Sequence, residues 1–150
     1  MTTEALLAYA HLLAIFALVV FLSSEAALCR AEWLNAAVVR RLVRVDVIYG
    51  LSALLVLATG LLRVYFGVKG SAWYWANPLL HVKLGLFLVM AGLSLPPTLA
   101  FRRWRRALDA EGTLPAANEV ARVRRLVMIQ AHLMPLIPLA AVFLARGYGH

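Results

Sequence analysis

The sequence predicts an all-α integral membrane protein, a four-helix bundle running up-down-up-down with both termini outside. Three observations carry that expectation: four apolar runs long enough to cross a bilayer, a mean hydropathy of +0.82, and basic residues gathered in alternate connections. The runs lie at about 5–27, 45–66, 78–101 and 126–145. Each is near the roughly 20 residues that a hydrocarbon core of about 30 Å requires. With 63% of its 150 residues hydrophobic, the chain reads as a single transmembrane domain over 1–150.

The net charge of +8 is a topology signal. The first connection holds Arg30, Arg40, Arg41 and Arg44, and the third holds Arg102, Arg103, Arg105, Arg106, Arg122, Arg124 and Arg125. The second holds Lys69, with Arg63 at its edge. The positive-inside bias then puts the first and third connections in the cytoplasm and both termini in the periplasm, in a bacterial inner membrane. Charge confined to short loops excludes nucleic acid as a partner and points to membrane lipid, whose anionic head groups suit the third connection. One cysteine, Cys29, excludes an internal disulfide or a Cys-rich metal site. Met1-Thr2-Thr3-Glu4 supplies no basic region ahead of the first apolar run, so that run reads as a retained anchor.

Along the first span, Glu4, His11, Leu18 and Glu25 recur every seven residues and share one inward face. Glu25 stands near the cytoplasmic end, where an ion pair with Arg41 or Arg44 is expected. The second span puts Asp46, Ala53 and Gly60 on one stripe, with Tyr49 and Arg63 beside it. Arg63 tilts back into the bundle toward an anion, either Glu4 or a ligand carboxylate; snorkelling to the interface is the alternative. Trp73, Tyr74 and Trp75 form an interfacial belt or a lid on an outward pocket. The third span opens with Asn77 as N-cap and Pro78 at the first helical position. His81, Gly85, Leu88 and Gly92 then share a face, and Lys83 lies about 200° away at 3.6 residues per turn, free to snorkel outward. Pro96 and Pro97 weaken its last turn, and residues 102–125 read as a basic connector. The fourth span repeats a seven-residue seam, Arg125, His132, Leu139 and Arg146, with Pro135 and Pro138 as kinks.

Depth suggests the chemistry. His11 is seven residues past Glu4 and His81 three past Pro78, so both imidazoles lie in the outer third of the membrane. Two neutral imidazoles on facing helices at one level are the ligands a six-coordinate haem b requires. Propionates pointing outward would meet Arg63, Lys69 or Arg146, and Gly85 would let a flat macrocycle approach. The same two histidines can also hydrogen-bond across the interface without a metal. Zinc has no third ligand at that depth. His132, Arg125, Glu25 and Asp46 form a second polar layer, read as structural, with a proton relay as the alternative. Gly85 and Gly92 equally suit packing against a second copy, a homodimer.

Two likenesses follow from these residues. Asp46-x-x-Tyr49-Gly50, Gly60-x-x-Arg63, Lys69-Gly70, Tyr74-x-x-Asn77-Pro78, Lys83, Leu93-Ser94-x-x-Pro97-Thr98, Trp104 and Ala145-Arg146-Gly147 resemble a family of small bacterial membrane proteins of four predicted spans and unknown function. More distantly, His11 and the His81-x-Lys83-Leu84 opening of the third span are similar to the haem-binding membrane protoporphyrinogen oxidases. That resemblance implies His11 and His81 as haem ligands, Lys83 as a functional, catalytic lysine, and a quinone or porphyrin-like substrate. It stops at the fourth span, where His132 and the two prolines have no counterpart. The expectation is a haem-b membrane protein in electron transfer or oxidation of a membrane-soluble substrate. The alternative is a non-redox transporter subunit or an assembly or scaffold protein.

Overall fold

The computed structural model describes residues 1–149 and consists of helices. They are α1 (Thr2–Leu28), a 3-10 turn (Ala31–Trp33), α2 (Ala36–Phe66), short α3 (Ser71–Ala76), α4 (Pro78–Glu111), α5 (Ala117–Leu133) and α6 (Leu136–Ala145). Four helical stretches are long and apolar enough to span a membrane, with α5 and α6 together making the fourth. α1 packs chiefly on α2, and α4 packs on α5 and α6; contacts of α2 with α4 and α1 with α5 close the ring. Both termini therefore lie at one end, opposite the arginine-rich connections.

The inward face of α1 is the one its sequence marks: His11, Ala14, Leu18, Leu22 and Glu25 are buried. Its lipid face carries Leu12, Leu13, Phe16, Val19 and Val20, all exposed, as expected where the surroundings are hydrocarbon. Leu18, Leu22, Val56, Met90, Val127 and Met134 meet in the middle of the bundle. They form an apolar plug between its two ends.

Helix boundaries follow local chemistry. Asn35 starts α2 by accepting from Val38 N at 2.9 Å, and Asn77 starts α4 by accepting from Leu79 N at 2.9 Å; each satisfies an amide with no intrahelical acceptor. Gly112, at φ 67°, closes α4 in the left-handed conformation that glycine adopts without strain.

The third span departs from expectation at its far end. Pro96 and Pro97 sit inside α4 without ending it, and the helix continues to Glu111. Its 34 residues measure roughly 50 Å at 1.5 Å per residue, well beyond the hydrocarbon. Pro97 has no N–H for the carbonyl of Leu93. That freed carbonyl instead accepts from Gln130 Nε2 at 3.1 Å, so a neighbouring helix satisfies what the proline leaves open. The basic connector expected over 102–125 is consequently mostly helix, with Trp104 buried and an open stretch at 112–116. Arg103 pairs with Glu119, Trp104 Nε1 donates to Glu119 Oε1 at 3.1 Å, and Arg40 pairs with Asp109 at 2.8 Å. In the fourth span Pro135 breaks the helix between α5 and α6.

At the other end the tail folds back onto the start of α4. Asn77, 0% exposed, donates from Nδ2 to Tyr148 O at 3.0 Å. A Cβ at Gly149 would lie 2.7 Å from Asn77 Oδ1, so the approach depends on glycine. One carboxamide thus caps α4 and holds the tail. Asn77→Ala removes both contacts and is expected to destabilise the fold by roughly 2 kcal/mol, read as a lowered unfolding temperature in detergent.

Candidate functional site

His11, 4% exposed, is fixed by α2. Its Nδ1 lies 2.8 Å from Thr59 Oγ1. The single Thr59 hydroxyl proton is donated to Leu55 O at 2.6 Å, so the hydroxyl oxygen accepts from His11 Nδ1–H. This network assigns the lone pair of the ring to Nε2. Gly60 makes room for the ring: a Cβ there would stand 3.2 Å from His11 Cε1.

The ring borders a cleft of ≈ 130 Å³ near the end that carries the termini. α2 contributes Gly60, Arg63 and Val64, α4 contributes Lys83 and Phe87, α3 contributes Tyr74, and α6 contributes Ile137 and Leu144. Its walls are mainly apolar, and its polar groups are basic. Arg63 and Lys83 both act electrostatically on His11, and Arg63 acts on Lys83. Among the described residues neither cation has a hydrogen bond or an ion pair, since the salt bridges are Arg40–Asp109 and Arg103–Glu119. Two cations face one cavity inside the bundle with no anion to answer them. A charge in such a position is costly unless something pairs it.

Residues 3–149 match the family model described as a predicted membrane protein, DUF2214. The chain belongs to the DUF2214 family. No curated protein and no solved structure matches it. The DUF2214 description brings no activity, and the distant likeness to haem-binding oxidases gains no named relative.

In this DUF2214 chain the expected site residues separate. His81 is exposed, and its Nε2 lies 2.9 Å from Trp75 O; it does not line the cleft that His11 borders. Lys83, about 200° round α4 from His81, turns into the bundle. The residues as placed do not fit a haem held by two imidazoles, because the rings do not face a common gap. Of the expected propionate partners only Arg63 lines the cleft. Lys69 donates from Nζ to Ala145 O at 3.4 Å and sits 4.1 Å from the Trp73 ring centre, and Arg146 is exposed. Gly85 is exposed too, with open space where a Cβ would stand. Tyr74 walls the cleft, while Trp75 is exposed.

The second polar layer is also differently composed. His132 is exposed, its Nδ1 2.6 Å from Met128 O, and Arg125 is exposed. Glu25 pairs with neither Arg41 nor Arg44, which are both exposed; it lies against Asp46. Tyr49 donates to Gln130 Oε1 at 2.9 Å in the same region. Sequence reasoning placed Gly60 on an inward stripe but missed Thr59 and Gln130. An uncharged hydrogen-bonding residue amid an apolar run was the signal available for both.

Thr59→Val removes the acceptor of His11 Nδ1–H. The expected outcome is a loss of tautomer preference at His11, seen by ¹⁵N NMR of the ring, and a stability loss of about 1 kcal/mol.

Proposed function

We propose that this protein binds the anionic head group of a membrane-soluble amphiphile, a carboxylate or phosphate on an apolar tail, in the cleft of His11, Arg63 and Lys83. The observation that carries the proposal is the pair of unanswered cations. Lys83 and Arg63 share an apolar cavity without a carboxylate partner, and an incoming anion would convert two isolated charges into charge-assisted hydrogen bonds. His11 Nε2, with its free lone pair, would accept from a hydroxyl or a protonated oxygen of the same head group. Phe87, Ile137 and Leu57 offer an apolar wall along which a tail would lie. The arginine-rich far end supports a bacterial inner-membrane location with the cleft opening toward the periplasm. The chain would then be a binding or carrier component, the non-redox class, acting on a lipid-like ligand.

The test uses purified full-length protein in nanodiscs of phosphatidylcholine. A long-chain carboxylate and a long-chain alkyl phosphate are titrated beside the matching neutral alcohol. Both anions are expected to bind and the alcohol not to. Arg63→Gln and Lys83→Gln should each weaken anion binding roughly ten- to hundred-fold, the value of a charged hydrogen bond. His81→Ala should leave it unchanged. Equal binding of the alcohol, or indifference to both cation substitutions, overturns the proposal. So does a Soret band in protein from haem-replete cells that is lost in His11→Ala.

A further inference from the structure

At the opposite end of the bundle two acids lie in contact. Glu25 on α1 is 1% exposed and Asp46 on α2 is 6% exposed. Both are buried where α1 packs on α2, and each carboxyl group is in the other's immediate electrostatic surroundings. Two ionised carboxylates are acceptors only, and like charges this close cannot both persist in a buried site. Something must stand between them.

The nearby cations and donors are directed elsewhere: Arg30, just past α1, has no partner at Nε and lies over the Trp33 ring, 4.9 Å from its centroid. Arg41 and Arg44, within two turns of Asp46 along α2, are exposed and unpaired with either acid. On α5, Arg124 donates from Nη1 to Ala26 O at 3.0 Å and directs Nη2 to Met128 Sδ at 3.8 Å. Tyr49, next on α2, has its one hydroxyl proton committed to Gln130. Both amide hydrogens of Gln130 are directed at carbonyls, of Leu93 and Leu126. Cys29, fully buried at the end of α1, is a weak donor. Glu25 Oε1 has no hydrogen-bond partner at all, in a side chain almost wholly out of solvent. A buried acceptor without a donor is a mark of a missing group.

We infer that Glu25 and Asp46 form a binding site for a single proton, held between their carboxyl oxygens at the arginine-rich end of the bundle. One proton makes one acid a donor and leaves the pair with one negative charge. Because the two acids belong to different helices, the site exists only while α1 and α2 are in register at this level. Parting those helices would separate the carboxyls and let the proton go. The pair is thus a proton-exchanging contact near the loops, closed off from the cleft by the apolar plug. It stands independently of the ligand assigned to that cleft.

Infrared spectroscopy of the purified full-length protein tests it. The other five acids reach water or a guanidinium: Glu4, Glu32, Asp109, Glu111 and Glu119 are exposed or half-buried. At neutral pH the wild-type protein is expected to show a deuterium-sensitive carboxylic-acid C=O band of about one carboxyl per chain. Glu25→Gln and Asp46→Asn should each abolish that band, since the new amide supplies the hydrogen that the proton supplied. Glu4→Gln should leave it intact. Absence of the band from wild-type protein overturns the inference without recourse to any variant. Its survival in both single variants does so as well.

Discussion

Hydrocarbon offers no hydrogen bonds, and that single constraint organises the interior of this bundle. A polar group kept inside must be answered by another part of the chain. Gln130 answers the carbonyl that Pro97 leaves open on α4 and takes the Tyr49 hydroxyl from α2. Thr59 answers His11 from the next helix. Asn77 answers the first amides of α4 and the carbonyl of Tyr148 together. Against this background the unanswered groups are informative. Arg63 and Lys83 at one end, and Glu25 Oε1 and Arg30 Nε at the other, are among the described groups for which the chain supplies no partner.

These two places differ in sign as well as position. The cleft beside the termini is basic and bordered by apolar walls; the layer beside the arginine-rich loops is acidic and tightly enclosed. Between them Leu18, Leu22, Val56, Met90, Val127 and Met134 fill the bundle. This apolar layer separates the two polar regions. At the cleft end α3 packs Trp73 and Tyr74 against Val64, Leu80 and Leu144, and the tail is held by Asn77 on Tyr148 O and by Tyr148 against Phe143.

Much of the scaffold was legible in the sequence because it depends on local quantities. Run length sets the number of crossings, seven-residue recurrence sets which face of α1 turns inward, and Asn77-Pro78 marks a helix start. Each of these acts within one helix and is insensitive to its neighbours. The course of α4 beyond Pro96 was not legible, because the group that compensates for Pro97 lies 37 residues away on α5. A proline ends a helix or is absorbed by it according to whether such a partner is present. The partners within the inner layer failed in the same way: Arg41 and Arg44, the expected partners of Glu25, turn out to water, whereas Asp46 is buried as its place in that layer requires.

By itself the sequence determined that the chain crosses a membrane four times, which end is basic, and that His11 and Glu25 face the interior. Those conclusions need only hydropathy, helical periodicity and the energetic cost of charge in lipid. Tertiary structure alone decided the rotation of α4 about its axis, and with it whether His81 or Lys83 enters the bundle. Both orientations satisfy local geometry, since a lysine can snorkel and an imidazole can bond to a nearby carbonyl, as His81 does to Trp75. Only packing of α4 against α2, α5 and α6 breaks that tie, and it turns Lys83 toward His11 and Arg63.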